Sequence, residues 1–323
     1  MNIIGPYWND LVTPLYPWVN TVNRILSNSQ LPYLHGPTIC LLSDVAGEHR
    51  TSRYEAISIL AIAFDTIGEW EYRRQQVRNE ILKDNRRISF KNLNDKRRKQ
   101  ALRPYLNAID TMTGACITFV IRKDIQNLCS LPTDLSEFRD LVSLEGKWNP
   151  KGFERAIRLA HFVSLLIAGL THPNQNVYWI SDEDNIFANR SRSQDVNLLA
   201  SYFTSYYARH PLGELGIGTT QIDENDLRLE DLVALPDLLG GALAEVATSI
   251  AATYNGHIPL HLALDLPAKL SLKTKSLVDW LADDGQLLKR PIIVFDLTHT
   301  GLLQVSRLNL SSLGATRPRV ALL

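Results

Sequence analysis

The sequence predicts an α/β protein: a mixed sheet flanked by helices. Short apolar runs rich in β-branched residues, TICLLSD (38–44), AISILAIAFD (56–65), ACITFVIRK (115–123) and NVYWISD (176–182), have the length of strands. Longer segments with helical spacing of apolar residues alternate with the later runs, the pattern that packs helices onto a sheet. A chain of 323 residues can bury a sizeable core, as one large domain with additions or as two smaller ones.

Residues 1–36, rich in Pro, Asn and aromatic side chains, read as an irregular arm or short helix covering the core. The runs at 38–44 and 56–65, separated by a turn, should pair as an antiparallel hairpin. GEWEYRRQQVRNEILK (68–83) reads as a helix, RRISFKNL (86–93) as a short strand or extended link, and DKRRKQALRPYLNAI (95–109) as a helix interrupted by Pro104. After the strand at 115–123 comes a looser stretch with Pro132 and Gly146, then a helix that Pro150 opens and Gly169 nearly closes. The strand at 176–182, the helix QDVNLLASYFTSYYAR, the strand GELGIGTT and a long helix from about Leu229 to Thr253 follow. The expected core is therefore 37–253 with a helical insert at 68–110. Residues 254–323, with LVDWLADD, PIIVFDLTH and LLQVSRLNL, read as an appended helix and hairpin.

With 34 Lys+Arg against 34 Asp+Glu, overall charge points to no particular partner. Cys40, Cys116 and Cys129 lack metal-ligand spacing and read as buried reduced thiols of a cytoplasmic protein. The amino terminus lacks the pattern of a signal peptide. The most apolar stretch, 232–252, carries Asp237, Glu245 and Pro236, so it reads as a buried helix and no membrane partner is expected. The histidines show no H-E-x-x-H spacing, GELGIGTT lacks the lysine of a nucleotide loop, and no Ser or Cys nucleophile motif is present. Asp296, with His299 nearby, reads as a strand terminus.

Three acids stand out. Asp44 and Asp182 end apolar strands, and Asp237 lies within LEDLVALPDLLGGALAEV. Ionised carboxylates beside low-dielectric protein are costly without compensation, so three that a fold gathers suggest a divalent-cation site. Each also has a structural role open to it: Asp44 a turn with Gly47, Asp182 a helix-capping loop, and Asp237 the first turn of a helix starting at Pro236.

Leaving out the insert, the order is three strands, then helix, strand, helix, strand, helix. This resembles the ribonuclease H-like fold, and the local strings resemble an uncharacterised prokaryotic family with that fold found among mobile-element and defence-associated proteins. SDVAG stands where that family opens with Asp-Glu-Ser-Gly, ISFKNL matches its lysine segment, and LPDLLGGALA its closing acid-bearing helix. The resemblance covers 38–253 and implies a two-metal nuclease or phosphodiester transferase acting on DNA or RNA, with Mg²⁺ or Mn²⁺. Asp44 would then bridge the ions, Asp182 and Asp237 would each hold one, Glu183 or Asp184 would be a spare ligand, and Lys91 would reach the scissile phosphate. Val45 and Ala46 replace the family's second acid and serine, a loss that Glu48 would have to make good.

The insert concentrates positive charge, with Arg73, Arg74, Arg78, Lys83, Arg86, Arg87, Lys91, Lys96, Arg97, Arg98, Lys99 and Arg103 against Glu80, Asp84 and Asp95. Such local excess is expected to grip nucleic-acid phosphates, chiefly through Arg73, Arg74, Arg86, Arg87, Arg97, Arg98 and Lys99, unless acids from elsewhere balance it. Two rival functions follow from the same residues: a nucleic-acid-binding or scaffold subunit that has lost turnover, and an α/β enzyme acting on a phosphorylated small molecule.

Overall fold

The computed structural model describes residues 14–129, 142–183, 185–223, 226–259, 264–267, 269–283, 287–313 and 317–322. The strands β1 (Thr38–Ala46), β2 (Tyr54–Ala63) and β3 (Gly114–Arg122) form an antiparallel meander, and β4 (Asn176–Ser181) and β5 (Leu215–Thr219) add parallel to β1 on its other side. β1 and β2 are apolar nearly throughout because both of their faces are covered.

The pleat sends alternate residues to two cores. Cys40 and Leu42 of β1 face a layer made by α2 (Gly68–Glu80), α3 (Lys96–Ile109), α6 (Arg228–Thr253) and α7 (Leu272–Ala282). Ile39 and Leu41 face α1 (Trp18–Ser27), α4 (Pro150–Leu170) and α5 (Arg190–Tyr207). The protein is thus α/β with a mixed sheet and helices on both faces. Residues 18–27 of the expected arm are a helix that buries Val19, Val22 and Leu26 against the sheet.

Two expectations are corrected. Residues 254–323 do not form an appended hairpin: β8 (Ile292–Leu297) pairs parallel with β3 and carries the sheet onward to β9 (Leu303–Leu313), β10 (Arg317–Leu322) and β6 (Leu264–Asp265), while β7 (Leu288–Lys289) pairs with the start of β3. Among the described residues the order is β5-β4-β1-β2-β3-β8-β9-β10-β6. Pro104 does not interrupt α3, because Ala101, Leu102, Tyr105, Leu106 and Ile109 hold a continuous buried face across it. Of the two readings of segment 86–93, short strand or extended link, the structure has the link, which ends in turns from Phe90 onward.

Glycines set how closely α6 approaches the sheet. A Cβ on Gly240 would lie 3.0 Å from the Ala46 Cβ and 3.3 Å from the Ser58 hydroxyl, and one on Gly241 would strike the Phe90 ring at 2.3 Å. α6 is also the one helix, among the described residues, long and apolar enough to cross a membrane, yet most of it is buried inside the protein.

The α2 arginines tie the insert to α6. Arg74 is buried and meets Glu71 at 2.6 Å, Asp226 at 2.8 Å and Asp231 at 3.1 Å, and Arg78 shares Asp231. Removing Asp231 leaves Arg74 with Glu71 and Asp226 but takes from buried Arg78 its one ion-pair partner among the described residues, and breaking a buried pair from one side costs about 3–5 kcal/mol. Asp231→Ala should therefore lower the urea midpoint steeply; an unchanged midpoint would show that solvent replaces the carboxylate without cost.

Candidate carboxylate site at the ends of β1 and β4

Asp44 follows Cys40 and Leu42 in the alternation of β1, so its side chain belongs to the face that α6 covers, and it is only 8% exposed. Ser58 is its partner on β2, and the Ser58 hydroxyl bonds the Thr118 hydroxyl at 2.9 Å, which continues a polar row into β3. Asp182 is the first residue beyond β4. Ser43 and Ser181 are partners in the parallel ladder, and the Asp182 N–H donates to the Ser43 carbonyl at 3.2 Å, so Asp182 stands beside Asp44 at the strand ends.

Asp237 reaches the same region from α6. It lies one turn before Gly240, the residue seated over Ala46 and Ser58. Pro236 precedes it in the helix interior, so the local role of a helix start at Pro236 does not apply. The Asp237 carboxylate accepts the Phe90 N–H at 2.6 Å. Burial pushes its pKa up to about 6; the Phe90 N–H opposes the shift, the charge of Asp182 adds to it and Lys273 offsets it. Asp182 and Asp237, far apart in the chain, thus feel one another's charge.

Two further participants carried no sequence signal that singled them out. Glu230 lies two turns before Asp237 on α6, and its pKa is raised by burial and by Asp182 and Asp223, against the pull of Thr220 and Arg87. Its i, i+7 spacing from Asp237 was the available clue. Arg87 meets Glu230 at 2.8 Å, which brings this exposed insert arginine to the acids. Lys273, on α7, caps the Phe90 carbonyl at 2.8 Å and sits 3.9 Å from the Phe90 ring centre; nothing local in the sequence marked it.

The remaining expected residues divide. Lys91 is exposed in the turn after Phe90, next to the hydrogen bond that Asp237 accepts. Glu48 does not face the acids: Arg155 of α4 holds it at 2.5 Å, on the opposite side of the sheet, in a chain that continues to Glu55 at 3.0 Å. Asp184 lies outside the described residues. Among the described residues no three His, Cys, Asp or Glu side chains are gathered closely enough to hold a metal ion as they stand.

Much of the basic insert is paired with acids in space, the alternative to a phosphate grip that the sequence left open. Arg74 is buried, Arg73 pairs with Glu69, Arg86 with Asp84 and Asp95, Arg97 with Asp84, and Arg98 lies near Asp95 while donating to the Arg87 carbonyl. Lys91, Lys96 and Lys99 stay exposed, with no ion pair among the described residues. No protein-family model matches this chain, and no curated protein matches it.

The raised pKa of Asp237 has a consequence for stability. Its folded value, about 6, lies above the ordinary carboxylate value, so the native state binds this proton more tightly than the unfolded chain. Its contribution is therefore most favourable below about pH 4 and declines as pH rises toward 6, which leaves the full cost at neutral pH. Asp237→Asn should stabilise the protein by about 2 kcal/mol at pH 7.5 in chelator and by little at pH 4. Urea titrations of both proteins at the two pH values check this, and equal gains at both would assign the effect to packing.

Proposed function

We propose that this chain has a ribonuclease H-like core and acts on a phosphodiester of DNA or RNA through the acids Asp44, Asp182 and Asp237. The observation that carries the reading is geometric: Asp237 accepts the Phe90 N–H one turn before Gly240, the residue seated over Ala46 and Ser58, beside the strand ends that bear Asp44 and Asp182. Partial order β5-β4-β1-β2-β3, with β1 to β3 antiparallel and α6 crossing the acid-bearing strands, supports the fold reading. The three buried or half-buried thiol-free oxygen donors suit a hard divalent cation such as Mg²⁺ or Mn²⁺. Such a cation, held by Asp44, Asp182 and Asp237, would polarise a phosphoryl oxygen and lower the pKa of a bound water.

The chain's own groups have definable parts in this reading. The Phe90 N–H fixes the rotamer of Asp237, and Arg87 with Lys273 offsets the local negative charge. Lys91, Lys96 and Lys99, with Lys83 and Arg103, are exposed cations of the insert available to phosphates. The buried, free thiols Cys40, Cys116 and Cys129 support a cytoplasmic setting.

A second reading, a binding or scaffold subunit without turnover, is favoured by Val45 and Ala46 in the opening motif and by the commitment of Glu48 to Arg155. Cleavage assays separate the two. Labelled single- and double-stranded DNA and RNA should be cut only with Mg²⁺ or Mn²⁺, and Asp44→Asn should lower the rate by about 10²-fold or more, the scale of losing one transition-state charge partner. Binding without cleavage under all these conditions selects the scaffold reading. The double variant Lys96→Gln/Lys99→Gln should flatten log affinity against log salt by roughly one unit per lost contact. An unaltered slope would remove the insert from the nucleic-acid interface.

A further inference from the structure

A polar cavity of about 210 Å³ lies far from the carboxylates, where the chain leaves β7 and passes through Arg290 and Pro291 into β8. Asn28 and Gln30 after α1, with Arg307 and Asn309 of β9, complete its walls. Asp44, Ser58, Thr118, Ile292 and Leu308 are successive partners across the sheet, so the cavity wall at Leu308 stands four strands from Asp44, roughly 19 Å at ordinary strand spacing. The cavity is therefore a separate place.

Its charge is one-sided. Lys289, Arg290 and Arg307 line it against the single carboxylate of Asp283. Arg290 is fixed in orientation: its guanidinium stacks 3.5 Å from the Trp280 ring centre and donates to the Trp280 and Asp283 carbonyls and to Asp110 at 2.6 Å. Neither Lys289 nor Arg307 has an ion-pair partner among the described residues, and the Arg307 Nε is buried with no hydrogen-bond acceptor. A buried donor left unmet is costly, and a ligand oxygen would remove that cost.

We infer that this cavity binds the phosphate group of a phosphate monoester. Counting Asp110, which pairs with Arg290, three cations meet two carboxylates, and Lys289 and Arg307 stay without an ion-pair partner among the described residues; a phosphate group offers both an oxygen. Guanidinium forks match phosphate oxygens in pairs, and the amides of Asn28, Gln30 and Asn309 add neutral donors. The volume falls below the range of pockets that enclose a drug-sized ligand, so the cavity takes the phosphate head while the rest of the molecule extends outward. The source is either a free small molecule or the 5′ end of a nucleic acid, since both present this group.

Calorimetric titration of the full chain with inorganic phosphate, adenosine 5′-monophosphate, and a short oligonucleotide with and without a 5′ phosphate tests the inference. Saturable binding is expected for the phosphorylated probes, weakened at least tenfold in Arg307→Gln and unchanged in Asp44→Asn. A tighter mononucleotide identifies a free small molecule as the source; a tighter 5′-phosphorylated oligonucleotide identifies a nucleic-acid end. If Arg307→Gln lowers the unfolding midpoint, Lys289→Gln, at the rim, gives the same comparison in a folded protein. Absence of saturable binding by inorganic phosphate and the mononucleotide, or equal binding of them by the wild type and both variants, overturns the assignment, and neither result bears on the carboxylates.

Discussion

Everything at the carboxylate end depends on the close approach of α6 to β1 and β2. Gly240 permits it, since any side chain there would press on Ala46 and Ser58, and the neighbouring Gly241 leaves the space that the Phe90 ring fills. The two glycines therefore act together. One brings Asp237 down to the strand ends, and the other seats the segment whose backbone N–H holds that acid. A helix held farther out would leave Asp237 in water with an ordinary carboxylate pKa, and its interaction with Asp182 would be screened away.

Much of this was legible in the sequence. Strands β1 to β4 announce themselves as apolar runs of strand length, and Asp44 and Asp182 are conspicuous because each closes such a run. Asp237 was visible for a related reason, as a charge in an apolar helix. The partners that define its state were not. Phe90, Arg87 and Lys273 come from the insert and from α7, and only the packing of those elements onto α6 brings them near.

The insert and the carboxyl-terminal third show two different limits. A run of arginines in sequence carries no record of the acids that face it, so Arg74 reads as a phosphate contact although Asp226 and Asp231 enclose it. Likewise, the alternating runs at 291–299 and 302–310 are the same whether they form a free hairpin or extend an existing sheet. The deciding fact is that β3 offers an open edge to β8, and hydrophobic pattern does not encode which edge a strand will choose.

The clamp between α2 and α6 also orders events in time. Arg74 and Asp231 are 157 residues apart, and Phe90 and Asp237 are 147 apart. Contacts of such separation close late, after the entropy of a long loop has been overcome. During synthesis Arg74, Arg78 and Arg87 leave the ribosome well before Asp226, Glu230 and Asp231 exist, so the insert lacks its anchor to α6 until that helix follows. The nascent chain thus carries two arginines, Arg74 and Arg78, that the finished protein buries, and the acidic end is assembled only when they are captured.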